Sequence, residues 1–210
     1  MKKYKLYIFD LDGVIFETKS NMRASWTEVQ KNHKISIKFD DYFSLIGSPF
    51  NNILSELGIH NYQNQIAKTY SNASRKKLSL VKIYPQVILT LRKLKNESKI
   101  AVVTSKDRKR TNFFLKKFKL KFDFISCPEK NLKGKPYPDQ ILKVLKKLSI
   151  KKKDSVYIGD MLPDYNASKK AKVNFILANY GYGNHNLKTQ KKIRKINKIS
   201  DLLKINNLNL

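Results

Sequence analysis

The chain has 210 residues, of which 41% are apolar, so it can bury the core of one or two domains and is not a disordered protein. Its single cysteine, Cys127, excludes a disulfide framework and fits a reducing cytoplasm, and no apolar run approaches the ~20 residues that span a bilayer. The formal net charge is +28, but 38 of the 44 basic residues are lysines scattered along the chain, so we expect no dedicated nucleic-acid surface.

The first apolar run, residues 4–9, predicts a buried strand. Asp10 and Asp12 follow it directly, with Gly13 behind them to permit a tight turn. Open α/β sheets bind ligands at the carboxyl ends of their strands, so the pair is a candidate site, although a polar turn is the simpler alternative. Because the aspartates interrupt the run and no small-residue cleavage site follows, we expect no signal peptide and a cytoplasmic protein that does not bind membranes.

The stretch from about residue 20 to residue 80 predicts helices and no strand. One helix is expected from Ala24, and three more over residues 40–46, 50–57 and 62–80. A segment of this length is too long for a loop of a compact domain. We therefore predict an inserted helical subdomain, called the helical insertion below.

Beyond Pro85, strands and helices are predicted to alternate. The predicted strands are residues 99–103, 122–125, 155–158 and 174–178. Apolar residues at helical spacing lie between them: Val87, Ile88, Leu91 and Leu94; Phe113, Phe114, Leu115 and Phe118; Ile141, Leu142, Leu145 and Leu148. A further helix is predicted from about Asp164 with that residue as its N-cap. The alternation predicts βαβ units, a parallel sheet and an α/β fold.

The tail from Lys188 onward is basic and rich in asparagine. Its apolar positions suggest a final helix that docks on the domain: Ile193, Ile196, Ile199, Leu202 and Leu203.

Polar side chains follow three of the predicted strands. Thr104 and Ser105 follow the strand at 99–103, and Asp160 follows the strand at 155–158. Lys135 precedes Pro136, which keeps it extended just before a helix. Each has a simpler interpretation: a strand-end hydroxyl, a capping or turn carboxylate, or one lysine among 38. Together with the first aspartate pair, they predict one convergent site at the sheet edge.

These segments resemble, in order, the four motifs of haloacid dehalogenase superfamily phosphatases. The matching segments are Asp10 to Val14, Thr104 to Lys106, Lys135 to Pro138, and Gly159-Asp160 with Asp164. The resemblance implies a Rossmann-like parallel core formed by residues 1–15 and 82–210. It also implies that residues 16–81 form a small α-helical cap, as in phosphoglycolate-phosphatase-like members.

The resemblance implies a covalent mechanism. Asp10 would attack phosphorus and form an aspartyl phosphate. Asp12 would protonate the leaving oxygen and then deprotonate the attacking water. Thr104 and Lys135 would hold the phosphoryl oxygens, with Ser105 assisting through its backbone.

The resemblance also implies a magnesium ion. Mg²⁺ prefers hard oxygen ligands, and it would offset the repulsion between the nucleophile and the phosphate. The side chains of Asp10 and Asp160 and the backbone carbonyl of Asp12 would hold it. Asp164 would be a further ligand or would lie behind the ligands.

Two positions depart from the family pattern. Met161 stands where many relatives have a small hydroxyl residue, and Glu17-Thr18 replaces a frequent Asp-Ser pair. Neither change removes a catalytic group, so we expect an active enzyme.

The expected function is a Mg²⁺-dependent phosphatase, acting as a monomer or weak dimer on a small phosphorylated metabolite such as phosphoglycolate or a sugar phosphate. A β-phosphoglucomutase-like sugar phosphomutase is the alternative. The absence of an arginine near Gly47-Ser48-Pro49 counts against it, because such mutases tend to carry one there. A basic nucleic-acid-binding protein on a hydrolase scaffold is a third, less favoured interpretation.

Overall fold

The computed structural model describes residues 4–183, 187 and 192–205. Six strands form one parallel sheet: Leu6–Phe9 (β1), Lys99–Val103 (β4), Phe124–Ser126 (β5), Ser155–Gly159 (β6), Asn174–Ala178 (β7) and Arg194–Ile196 (β8). Their order across the sheet is β5-β4-β1-β6-β7-β8. The predicted α/β fold with a parallel sheet is confirmed.

Nine helices surround the sheet or lie in the insertion, counting only the described parts of the chain. They are Lys19–His33 (α1), Phe39–Ser44 (α2), Phe50–Glu56 (α3), Gln63–Lys76 (α4), Val87–Lys95 (α5), Arg108–Lys117 (α6), Asp139–Leu148 (α7), Leu162–Ala171 (α8) and Asp201–Ile205 (α9). None of these helices has both the length and the apolar character that crossing a bilayer requires.

The central strand β1 is buried on both faces, as a parallel sheet covered by helices requires. Tyr7 and Phe9 point into an apolar cluster that contains residues of α5, α6 and α9. Leu6 and Ile8 point into the opposite cluster, formed with α7 and α8. All four side chains have 0% exposure, which explains why the sequence of this strand is an uninterrupted apolar run.

The helical insertion has an apolar core of its own. Trp26 of α1 stacks on Tyr42 of α2 with ring centroids 4.5 Å apart, and its indole N–H donates to the carbonyl of Ile37 at 2.9 Å. A two-stranded antiparallel ribbon, Phe16–Glu17 (β2) and Lys82–Ile83 (β3), links the insertion to the sheet. The sequence did not predict this ribbon, because two residues per strand show no periodicity.

Several sequence predictions are wrong in detail. The helix predicted over 62–80 ends at Lys76, and a short 3₁₀ helix, Leu78–Leu80, follows it. Asp164 is the third residue of α8, not its N-cap. Ile196 belongs to β8 rather than to a final helix, because it pairs with Ala178 at the edge of the sheet. Of the other positions of that predicted helix, Leu202 and Leu203 lie in α9, whereas Ile193 and Ile199 lie outside it. Residues 188–191 of the basic tail lie outside the described residues.

Candidate active site

Three neighbouring strands of the sheet end at the predicted site. Asp10 follows β1, Thr104 follows β4 and Asp160 follows β6, and β1 lies between the other two. The register continues past the strand ends, because the Asp10 N–H donates to the carbonyl of Ile158 at 2.9 Å. All three polar side chains are buried. The convergence that the sequence predicts at this edge is therefore present.

Lys135 reaches this cluster from the loop between β5 and α7. Its Nζ lies 3.0 Å from Asp10 Oδ1 and 2.7 Å from Asp164 Oδ1, and its side chain is 1% exposed. Burial alone would lower the pKa of Lys135, but the two carboxylates outweigh that effect and hold it above its usual value. Lys135 is therefore a fixed, buried cation beside Asp10.

Three carboxylates form a group that a metal ion fits. One oxygen each from Asp10, Asp160 and Asp164 can be chosen so that all lie within 4.8 Å of one another. Asp160 Oδ2 accepts the Tyr182 N–H at 2.6 Å, whereas Asp160 Oδ1 is buried without a hydrogen-bond partner. A buried, unpaired carboxylate oxygen is costly, and a hard divalent cation would satisfy it.

Asp164 differs from the other two because its oxygens are already occupied. Oδ1 accepts from Lys135 and from the Tyr157 hydroxyl, the latter at 3.1 Å. Oδ2 accepts the backbone N–H groups of Asp160 and Met161 at 3.1 and 3.0 Å. These contacts favour a role for Asp164 in orienting Lys135 and the Asp160 loop over direct metal binding.

Burial controls the protonation of the nucleophile candidate. It is the main reason that the pKa of Asp10 is raised to about 7; Lys135 opposes this effect, and Asp164 and Asp12 add to it. Burial also raises the pKa of Asp160 well above its usual range, with the charges of Asp164 and Asp10 adding to the shift. A bound cation would reverse both shifts, because it favours the ionised carboxylates.

Asp12 lies beside the cavity rather than in the acidic cluster. Its Oδ2 is 2.9 Å from Lys106 Nζ, and its Oδ1 accepts the Thr18 hydroxyl at 2.8 Å. Lys106 directly follows Thr104-Ser105, but its position in the sequence did not predict this contact with Asp12. Thr18, which replaces the usual serine of the family pattern, therefore contacts the proposed acid/base group.

The residues that follow β4 form one side of the candidate site. Thr104 is buried, and its Oγ1 accepts the Lys106 N–H at 3.1 Å. Ser105 Oγ donates to the carbonyl of Gly47 in the helical insertion at 2.7 Å. The Ser105 side chain is thus used to connect sheet and insertion, which leaves its backbone as the group that could contact a phosphate.

A cavity of about 50 Å³ lies between the sheet edge and the helical insertion. Asp10, Asp12, Thr104, Ser105 and Lys135 all line it, whereas Asp160 and Asp164 do not. The insertion contributes mainly apolar and aromatic walls: Met22, Tyr42, Ile46, Phe50, Ile53 and Tyr70. A cavity of this size encloses a group no larger than a few water molecules.

The cavity wall also contains residues to which the sequence analysis gave no catalytic or binding role. Lys106 and Arg110 add two cations from the sheet side, and Met161 and Tyr182 add apolar surface. Met161 also packs against the apolar core of the insertion, which explains how a bulky residue is accommodated after Asp160. No local signal separates Arg110 from the other basic residues of α6.

The comparison with known families places this geometry in a class. The family model of haloacid dehalogenase-like hydrolases matches residues 7–178, which contain every site residue that the sequence predicted. Together with the parallel sheet, the match defines a hydrolytic enzyme of the α/β class. The chain belongs to the haloacid dehalogenase-like hydrolase family.

Two curated relatives are similar over most of their length. A protein of Caldanaerobacter subterraneus, provisionally named pyrophosphatase PpaX, is 31% identical over 176 residues, which cover 81% of this chain and 80% of the relative. The pyrophosphatase PpaX of Bacillus mycoides is 26% identical over 209 residues, 97% of each chain.

Solved structures share the fold. A hydrolase from Pseudomonas syringae superposes with a TM-score of 0.86 at 23% identity, covering 98% of this chain and 100% of the other. A protein from Lactobacillus plantarum, provisionally described as a phosphoglycolate phosphatase, superposes with a TM-score of 0.85 at 21% identity, covering 97% and 99%.

Proposed function

We propose that the chain is a Mg²⁺-dependent phosphatase that hydrolyses a small phosphorylated metabolite through an aspartyl phosphate on Asp10. One observation carries the proposal: the Asp10 carboxylate lies at the wall of a small cavity, 3.0 Å from the buried ammonium of Lys135. A carboxylate held beside a fixed cation suits attack on an anionic phosphoryl group, because the cation offsets the repulsion.

The proposed reaction has two steps. In the first, a carboxylate oxygen of Asp10 bonds to phosphorus, the bond to the leaving oxygen breaks, and Asp12 gives that oxygen a proton. In the second, a water molecule attacks the same phosphorus, Asp12 takes a proton from it, and Asp10 is released as a carboxylate. Thr104, the Ser105 backbone and Lys135 bind the phosphoryl oxygens in both steps.

The metal would be held by the side chains of Asp10 and Asp160 and the backbone carbonyl of Asp12. The unpaired Oδ1 of Asp160 supports this assignment, and the four contacts of Asp164 support a place for that residue behind the ligands. When bound, Mg²⁺ supplies charge neutralisation for the meeting of two anions. In our proposal the segment from the end of β6 to the first turn of α8 sets the position of the ligands.

Residues 16–81 are proposed to act as a cap domain that closes the site from water, on a core of residues 1–15 and 82–210. The apolar walls that the helical insertion adds to the cavity support this role.

Phosphoglycolate and a sugar phosphate are candidate substrates, and the names of the curated relatives add pyrophosphate. Among the described residues that line the cavity, those of the insertion carry no charge, which favours a phosphatase over a phosphomutase.

The proposal is tested with a generic aryl phosphate in the presence of Mg²⁺. We expect Asp10→Asn to lower kcat by about 10³-fold or more, because the nucleophile is lost. EDTA is expected to abolish turnover in the wild type, and added Mg²⁺ to restore it. Asp41→Asn, an exposed carboxylate of the insertion, is the matched control and keeps wild-type activity. Undiminished turnover in Asp10→Asn would refute the mechanism.

A further inference from the structure

Two buried cations face the cavity without a role in the proposed phosphoryl chemistry. Lys106 is 5% exposed and Arg110 is 7% exposed, and both line the same wall as Asp10 and Lys135. Buried charges are costly unless they are paired, so each requires a reason to be there.

Each cation is held by one carboxylate and retains further donors. Lys106 Nζ lies 2.9 Å from Asp12 Oδ2, which uses one direction of an ammonium with three N–H donors. Arg110 Nε donates to Asp107 Oδ2, which uses one of the five N–H donors of a guanidinium. The remaining donors are available in principle to a second anion.

The Arg110 guanidinium is also fixed in orientation. Asp107 caps the start of α6, since its Oδ1 accepts the Arg110 N–H at 2.9 Å. On the side of the insertion, the ring of Tyr70 lies 5.0 Å from the guanidinium carbon. A planar cation held from two sides is preorganised for a carboxylate or phosphate, which it can bind through two parallel hydrogen bonds.

The surroundings of these cations favour an anion over a neutral polyol. The wall that the insertion contributes is mainly apolar or aromatic, with Ser48 also lining it, and the Tyr42 hydroxyl donates to the Tyr70 hydroxyl at 2.8 Å. A sugar would therefore find few hydrogen-bond partners there. A negative charge near two cations in an apolar setting is strongly stabilised, because little water screens the interaction.

We propose that Lys106 and Arg110 form a second anion subsite, so that preferred substrates carry a carboxylate or phosphate on the leaving group, close to the reacting phosphorus. This proposal rests on the proposed phosphatase function. An outer cavity of about 620 Å³ shares Phe50, Ser105 and Arg110 with the cavity at the sheet edge, so Arg110 lies at the boundary between the two.

The first test compares three substrates of the wild-type enzyme with Mg²⁺: 2-phosphoglycolate, pyrophosphate and 2-hydroxyethyl phosphate. The last replaces the carboxylate of phosphoglycolate by a neutral hydroxymethyl group. We expect kcat/KM for at least one of the two anionic substrates to exceed that for 2-hydroxyethyl phosphate by about 10- to 100-fold. The two anionic arms distinguish a carboxylate subsite from a phosphate subsite.

The second test assigns the preference to a residue. Arg110→Gln is expected to lower the ratio of anionic to neutral kcat/KM by about tenfold or more. Arg108→Gln removes the same charge from an exposed position on the same helix, paired with Glu129, and leaves the ratio unchanged. Arg110→Lys keeps the charge but loses the planar guanidinium that can form two parallel hydrogen bonds, so we expect an intermediate ratio. This variant replaces Arg110→Gln in the test if the glutamine variant does not fold.

The outcomes separate the two proposals. If the wild type hydrolyses all three substrates with no preference for the anionic ones, or hydrolyses only the neutral one, the subsite is refuted. The proposed phosphatase function is then still supported. An equal loss of preference in Arg108→Gln and Arg110→Gln also refutes the subsite, because it indicates a general charge effect. If the enzyme hydrolyses neither the aryl phosphate nor any of these three substrates, the proposed function is refuted, and the subsite is refuted with it.

Discussion

At the scale of single residues, Gly13 shows how tightly the acidic pocket is built. A Cβ at this position would lie 2.1 Å from Asp160 Oδ2, and the backbone has a φ of +81°. Gly58 has a similar φ of +76° but open space around it. The two glycines therefore separate the cost of the backbone conformation from the cost of displacing Asp160.

We expect Gly13→Ala to lower kcat by about 100-fold, because Asp160 must move away from its proposed ligand position. Gly58→Ala should cost only about 1 kcal/mol of unfolding free energy for the left-handed backbone, with activity retained. Phosphatase assays and thermal unfolding of both variants test this. Equal activity losses in the two variants would show that the contact with Asp160 is unimportant.

The raised pKa of Asp10 predicts a pH dependence whose sign follows from its role. In the proposed mechanism the ionised carboxylate is the nucleophile, and a pKa of about 7 means that it is increasingly protonated below neutral pH. At limiting Mg²⁺, kcat/KM should fall about tenfold per pH unit on the acid side of pH 7. Saturating Mg²⁺ should move this limb to lower pH, because the cation favours the ionised form. A shift to higher pH would contradict the account.

The same residues show what the sequence can predict. Asp10 and Lys135 were predictable because a strand end and a following proline restrict where their side chains lie. Lys106 and Arg110 were not, since they are two of the 44 basic residues of the chain, and only burial against Asp12 and Tyr70 distinguishes them. Chain periodicity carries no information about that burial.

At the scale of elements, predictability follows the strength of the apolar pattern. Strand β1 was predicted because both its faces are buried, so that nearly every residue from Leu6 to Phe9 is apolar. Strand β8 was not, because it has three residues, two of them basic, and its conformation is fixed by pairing with β7. Short edge strands depend on tertiary pairing that local sequence does not encode.

The hydrogen bond from Ser105 to Gly47 connects the loop after β4 with the helical insertion. We expect Ser105→Ala to lower kcat/KM about fivefold, since one net hydrogen bond is worth about 1 kcal/mol and the insertion would be held less firmly. Steady-state kinetics test this. In the control Ser44→Ala, the lost bond is to the carbonyl of Asp41 in its own helix, so activity should not change. Equal effects in both variants would contradict a connecting role.

At the scale of the whole molecule, the proposed chemistry and the proposed selection of the substrate lie on different parts of the chain. The sheet edge contributes the carboxylates and all the cations that line the cavity, among the described residues, whereas the helical insertion contributes apolar and aromatic walls. Asp10, Asp12 and Thr104 were predictable because they follow strands, whereas Lys106 and Arg110 were not. The substrate was not, because the cavity wall is assembled from residues between Met22 and Tyr182 that no local pattern connects.

The central claim is that one carboxylate, Asp10, carries the phosphoryl group during turnover. The most direct measurement is to quench the enzyme during turnover of 2-phosphoglycolate or an aryl phosphate with Mg²⁺, reduce the mixture with borohydride, and map the peptides by mass spectrometry. Borohydride converts an aspartyl phosphate to homoserine, so we predict homoserine at position 10 and an unchanged aspartate at position 12. Homoserine at another aspartate, or steady turnover with no modified residue in Asp10→Asn, would contradict the account.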